Sequence, residues 1–364
     1  MSDLNLFQQL YCLSMVSNVV SQSQGSEQEL ERKMKQELDE GLPKLPGQWV
    51  TSWGPRVFKE KNPTSSEGGP DNVWYAAVEK TRKICVVSIS GTARNSLADI
   101  VQDILVQEVV DFNAWVKQWS SSKGIPKPQT GTPNESTSST TAYCAKGTCL
   151  GAWNVLRNTG TAADKIIRID QYLSSLDKSY SIVFAGHSLG GALSPVVALG
   201  LLEANMVGSH DVKVLPSAGP SPGNDKLSLD YAERFPKTPA SATDYQVFNM
   251  DYYNALDIVP QAWSLNPAQD RNLDNILTKI LHLGDEVDET GKLSVELAKY
   301  ISGQSKVQYT PIPGQMFTGP PTPEVIHSWK DVKEVIGREH VRAYWDEIGI
   351  TDFLIHFERK FRSA

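Results

Sequence analysis

Two kinds of run are missing from this 364-residue chain. There is no stretch dense in Lys and Arg, and no apolar stretch near the roughly 20 residues that a bilayer-crossing helix needs. The longest apolar segment, Ala192 to Leu202, already contains Ser194 and Pro195. Acidic residues outnumber basic ones by 42 to 35, a formal charge of −7, which argues against nucleic acid as a partner, since such binding relies on neutralising phosphates. Cysteine is scarce: Cys12, Cys85, Cys144 and Cys149 are too few for a disulfide scaffold. Cys144 and Cys149 lie five apart in what reads as a polar loop, either bridged or free. With no His or further Cys beside them they are poor metal ligands. A His-x-x-x-His pair, a Gly-x-x-x-x-Gly-Lys loop and a Gly-x-Gly-x-x-Gly turn are all lacking, so neither a metal nor a nucleotide cofactor is expected. The opening residues Met-Ser-Asp-Leu-Asn carry no basic region, and the segment Leu10–Val20 is interrupted by Ser14, Ser17 and Asn18. The expectation is therefore a chain without a cleavable export signal, cytoplasmic by default, with secretion as the alternative.

What is present is an ordinary globular composition, 40 % hydrophobic and 21 % charged, with 26 Gly and 21 Pro. Residues 1–45 read as a helical extension, with Leu10, Met15 and Val19 at helical spacing and Pro43 and Pro46 ending it. Residues 46–364 read as one domain, with insertions at about 105–145 and 264–310. Gln48–Trp53, Asn72–Val78 and Ile84–Ser90 read as strands, and the nearly all-apolar last of these as a strand buried on both faces. A Ser/Thr/Pro/Gly tract at 120–142 reads as a long irregular loop. After it, helices are expected at Trp153–Leu156, Lys165–Leu176 and Gly191–Asn205, alternating with strands at Ser181–Ala185, Val212–Leu215 and Tyr245–Asn249. That alternation predicts an α/β fold with a mostly parallel central sheet flanked by helices.

The most informative segment is Ile182-Val183-Phe184-Ala185-Gly186-His187-Ser188-Leu189-Gly190-Gly191-Ala192-Leu193. A buried strand runs into Gly-x-Ser-x-Gly and then into a helix of small residues. A serine on so tight a strand-to-helix turn needs tiny neighbours two residues to either side, which Gly186 and Gly190 supply. The turn would expose the Ser188 hydroxyl at a helix N-terminus, with the Leu189 N–H available to an oxyanion. Pro195, seven residues on, removes a helical hydrogen bond and predicts a kink or a shortened first segment.

Four segments, in order, resemble the class 3 lipases of the α/β-hydrolase fold, the family of the filamentous-fungal triacylglycerol lipases. They are Val87–Thr92 with Ser96–Ile104 behind it, the elbow Gly186–Leu193, the loop Ser217-Ala218-Gly219-Pro220-Ser221-Pro222-Gly223-Asn224, and Phe248-Asn249 with Asp257-Ile258-Val259-Pro260. They span roughly residues 70 to 263. Ser90 stands where the family usually has Arg, and Ala145-Lys146-Gly147-Thr148-Cys149 where it commonly has Val-His-x-Gly-Phe.

A weakly acidic serine needs an adjacent base, and the base a carboxylate that sets its tautomer. In this fold the chain order is Ser, acid, His. Spacing and resemblance together point to Asp257, with Asp251 as competitor. Of the later histidines, His340 in Arg338-Glu339-His340-Val341-Arg342-Ala343-Tyr344 resembles the family's His followed shortly by Tyr at a helix start. His327, His356 and His282 are the alternatives. His187 is expected to pack behind the serine, and His210 to lie on a surface loop. The resemblance adds Thr92 as the second oxyanion donor beside Leu189. Ala93–Val101 occupies the place of a lid, and Val109–Trp119 is either lid, acyl-chain wall or plain core. The implied function is serine carboxylic-ester hydrolysis, with acylglycerols as substrate, a lipid–water interface as transient partner and no cofactor. The alternatives are an esterase for soluble or feruloyl-type esters and an inactive interaction module of the same fold.

Overall fold

β-Branched and aromatic residues at alternating positions build a seven-stranded sheet in the computed structural model, which describes residues 4–91, 105–134, 140–323 and 325–362. Its strands are β1 (Trp49–Phe58), β2 (Asn72–Glu79), β3 (Ile84–Ile89), β4 (Ser181–His187), β5 (Val212–Ser217), β6 (Asp251–Asn254) and β7 (Gly314–Phe317), and they lie side by side in chain order. β1, β2 and β3 pair antiparallel, and every pairing from β3 through β7 is parallel. Every residue of β2 and β3 is buried, so the sheet is covered on both faces. The two-residue period of a strand divides β3 between two cores. Cys85, Val87 and Ile89 enter one cluster, Ile84 and Val86 the other.

The face of Ile84 and Val86 is covered by both ends of the chain. Helices α1 (Leu6–Val16) and α2 (Glu27–Gly41) each open on a capping box, Asn5 with Gln8 and Ser26 with Glu29, which satisfies two otherwise orphaned N–H groups per helix. Their apolar residues share a cluster with Tyr344, Trp345, Phe353 and Phe357 from the C-terminal helices. The opposite face takes α3 (Lys146–Arg157) and α4 (Leu189–Glu203). A third cluster gathers Val106, Ile258, Trp263, Ile276, Val295 of α5 (Asp285–Gly303) and Val332 of α6 (Trp329–Gly337). Leu189, the first residue of α4, packs against both this cap and the cluster under α3. The C-terminal run continues through a π-helical turn, Arg338–Arg342, into α7 (Ala343–Ile348) and then α8 (Thr351–Arg362). Among the described residues no helix is long and apolar enough to cross a membrane.

Several local expectations are corrected. Lys165–Leu176 is not one helix: Lys165–Arg168 is a strand paired with Thr159–Ala162, and the helix begins at Ile169. Ala163, at φ 50°, turns the chain between the two strands and β-branched Ile166 and Ile167 suit the ladder. Tyr245–Asn249 shrinks to Val247–Phe248, which pairs with Thr238–Pro239 outside the main sheet. Asn249, at φ 71°, ends it, its side chain accepting the Val214 N–H at 2.9 Å and donating to the Pro236 carbonyl at 2.8 Å. Helix α4 runs unbroken across Pro195, so no first segment is shortened. Cys144 lies in a strand and Cys149 on α3, both as buried free thiols rather than in a polar loop. The apolar stripe of Val109–Trp119 is core, with Val109, Val110, Phe112, Trp115, Val116 and Trp119 all buried. The lid position Ala93–Val101 lies outside the described residues.

Candidate active site

The elbow after β4 is forced by close backbone packing. A Cβ on Gly186 would overlap the carbonyl of Gly190, one on Gly190 the carbonyl of Ile89, and one on Gly191 the carbonyl of Ser217. Three neighbouring strands thus meet where no side chain fits. Ser188 sits at this crossing with φ 63° and ψ −128°, a left-handed backbone that costs a non-glycine residue about 1–3 kcal/mol. The surroundings hold it there: the Ser188 N–H donates to Ser217 O at 3.0 Å, and the Gly191 N–H to Ser188 O at 2.8 Å. Ser188 remains partly exposed, and Leu189 begins α4 directly after it. The first N–H groups of a helix have no intrahelical acceptor, and that of Leu189 is the first of α4.

Asp257 follows the end of β6 in a tight turn and is fully buried. Each carboxylate oxygen is occupied. Oδ1 accepts the Val259 N–H at 2.9 Å, and Oδ2 accepts His340 Nδ1 at 2.8 Å and the Tyr344 hydroxyl at 2.9 Å. A buried carboxylate with three donors is held in one orientation. Asp251, the competitor, heads β6 and points elsewhere. It accepts Arg271 Nη1 at 2.6 Å and the Gly219 N–H at 3.1 Å, a buried pair that pins the loop after β5.

His340 lies within the π-helical turn between α6 and α7, not at a helix start as its sequence context suggests. The wider turn shifts the following residues around the helix, and His340 and Tyr344 both reach Asp257. Behind His340, the His187 ring lies 4.8 Å away between centroids. His187 Nε2 is 2.7 Å from the His340 carbonyl oxygen, which can act only as acceptor, so this nitrogen carries hydrogen. Its Nδ1 then accepts the Ser217 hydroxyl at 3.0 Å. Burial, reinforced by the neighbouring His340, holds the His187 pKa well below its ordinary value, and the ring is neutral.

His327, His282 and His210 lie apart. His327 meets Glu286 on the exposed surface at 3.1 Å, His282 is exposed, and His356 belongs to α8. His210 is buried rather than on a surface loop, because its Nδ1 bonds the Tyr180 carbonyl at 2.8 Å. Thr92 lies outside the described residues. Sequence reasoning missed the groups that support His340. Asn254 donates to both the carbonyl (3.1 Å) and the carboxylate (2.8 Å) of Glu339, which also takes Arg338 Nε at 2.6 Å. Glu339 is fully buried, and a glutamate inside a charged helical stretch carries no sign of that. Ser90, in place of the family's Arg, uses its hydroxyl to accept the Val73 N–H at 2.9 Å.

The profile of the class 3 lipases matches residues 86–266, a span that holds most of β3, the elbow and the Asp257 loop. The fold is similar to that of M37 lipase, at 20 % identity and a TM-score of 0.68, covering 97 % of this chain and 95 % of that one. A second solved structure, the nonglycosylated LIP2 lipase of Yarrowia lipolytica, matches at 18 % identity and a TM-score of 0.42 over 69 % of this chain and 73 % of that one. A comparison with curated proteins finds no match. The family profile covers the segments that meet at the elbow and the fold extends along nearly the whole chain, so that residues 86–266 are those of a class 3 lipase.

Proposed function

We propose that this lipase-family ester hydrolase acts through Ser188, His340 and Asp257, with the Leu189 N–H as one oxyanion donor. Thr92, which follows Gly91 directly, is the second by resemblance. The observation that carries the reading is the bond from His340 Nδ1 to Asp257 Oδ2, made between residues 83 apart beside the elbow. With Nδ1 donating to the carboxylate, Nε2 is the basic nitrogen. Ser188 Oγ attacks the ester carbonyl carbon as its proton passes to His340 Nε2. The tetrahedral oxyanion is stabilised by backbone N–H groups, and collapse expels the alcohol, which takes the proton. Water then attacks the acyl-enzyme by the same route and releases the acid. Asp257 stays ionised throughout and stabilises the imidazolium.

Acylglycerols are the proposed substrates, in keeping with the family. The test is hydrolysis of p-nitrophenyl esters from C2 to C16 and of emulsified triacylglycerol, wild type beside Ser188→Ala. The variant is expected to lose at least about 1,000-fold in kcat, with the wild type preferring long chains. Retained activity in Ser188→Ala would overturn the nucleophile. An optimum at C2–C4 with no action on the emulsion would replace lipase by soluble esterase.

A further inference from the structure

We propose that Asn18, 170 residues before the serine in the chain, is a positioning residue for acyl transfer, because its side-chain carbonyl holds the Gly91 turn against Ser188. This rests on the reading of Ser188 as nucleophile. β3 exchanges its last ladder bonds with β2 at Ser90, whose N–H donates to Val73 O at 2.8 Å while its hydroxyl accepts the Val73 N–H. One residue further, the Gly91 N–H has left the ladder and donates instead to Asn18 Oδ1 at 2.8 Å. Gly91 is buried, so without Asn18 this N–H would lose its partner.

No slack separates this turn from the nucleophile. A Cβ on Gly91 would lie 2.8 Å from Ser188 Cβ and 2.9 Å from His187 O. A turn pressed this closely on Ser188 cannot shift without disturbing the hydroxyl or the chain that continues from it. Asn18 itself is oriented. Its Nδ2 faces the Ser14 and Met15 carbonyls and Ser17 Oγ at 3.4–3.5 Å, at the end of α1, which directs Oδ1 outward to Gly91. The end of α1 is anchored in turn, as the Tyr75 hydroxyl of β2 donates to Leu13 O at 2.7 Å. The N-terminal segment therefore reaches the catalytic serine through one amide, and the geometry that stabilises developing charge tolerates little displacement.

Asn18→Leu removes the acceptor at similar volume, and Asn18→Asp keeps it. Both are compared with the wild type and Ser188→Ala on p-nitrophenyl butyrate, with functional sites counted by a p-nitrophenyl phosphonate and folding by thermal unfolding. Asn18→Leu is expected to lower kcat per titrated site about 10–100-fold, below the loss from deleting an oxyanion donor outright, with KM within about twofold. The phosphonylation rate should fall in step, and Asn18→Asp should recover to within about fivefold of wild type. If Asn18→Leu does not fold, Asn18→Ala takes its place beside Asn18→Asp. The inference is overturned if the acceptor-free variant keeps kcat within twofold, or if Asn18→Asp falls as far as it does. Hydrolysis by Ser188→Ala would instead remove the underlying reading, whereas an inactive Ser188→Ala beside an unimpaired Asn18→Leu sinks this inference alone.

Discussion

Two buried aspartates, six residues apart, show how partners decide what a carboxylate does. Asp251 faces Arg271 and a backbone N–H and joins a loop to the sheet. Asp257 faces an imidazole, a phenol and a backbone N–H, and orients His340, the proposed base. The phenol has two tasks, since the Tyr344 oxygen also accepts the Asn254 N–H at 2.9 Å. Tyr344→Phe removes one donor from the carboxylate and leaves that N–H unpaired. A hydrogen bond to a charged group contributes about 1.5–3 kcal/mol, so denaturant unfolding should show a loss of that order. Turnover should fall severalfold with KM held, since His340 loses part of its alignment rather than the substrate its site. A variant with unchanged stability and kcat would show that Asp257 is held by His340 and Val259 alone.

At the scale of elements, the site depends on two irregularities, a strained elbow and a π-helical turn. The elbow needs glycine because backbone, not side chain, occupies the space. Gly190→Ala would place a methyl group on the Ile89 carbonyl at the end of β3, an overlap that only movement of β3 against β4 relieves. A loss of about 3 kcal/mol or more is expected, with activity largely abolished. Gly337, at the end of α6, is the contrast: it has helical backbone and nothing within 4 Å of an added Cβ. Gly337→Ala should stabilise by roughly 0.5–1 kcal/mol, read as a raised unfolding midpoint. Equal effects of the two substitutions would contradict the packing at the elbow.

Across the whole molecule, the two ends of the chain cover one face of the sheet together, and the Gln8 side chain donates to Ile348 O at 2.8 Å. The polar centre under that assembly is His187, linked to Ser217 on one side and to His340 on the other. Its folded pKa lies below the ordinary 6.5 because burial disfavours the charged ring. The unfolded chain therefore binds more protons as pH falls through 6.5, and stability is lost on that acid side and regained above it. Each pH unit in the window between the folded pKa and 6.5 carries about 1.4 kcal/mol from this group. Denaturant unfolding from pH 7.5 to 5 should show the decline, and His187→Asn should flatten it. An equal slope in the variant would move the effect to other groups.

How much of this was legible beforehand follows the range of the forces involved. Strands β2, β3 and β4, helix α4 and the need for glycine about Ser188 were readable, because alternation, small-residue runs and tight turns are local consequences of side-chain size. Chain order and resemblance also pointed to Asp257 and His340, whose side chains the fold brings to 2.8 Å. Tyr245–Asn249 and Lys165–Arg168 were misread because a positive-φ residue, Asn249 or Ala163, redirects the chain for reasons no local window carries. The partners were out of reach as well. Asn18 on Gly91, Glu339 on Asn254 and Tyr344 on Asp257 join residues 73, 85 and 87 apart. By itself the sequence determined which residue types are on hand for the proposed chemistry, since a nucleophile, a base and an acid are matters of residue type and turn geometry. The tertiary structure alone decided what holds them, because a buried donor or acceptor is satisfied by whatever group packing brings within about 3 Å.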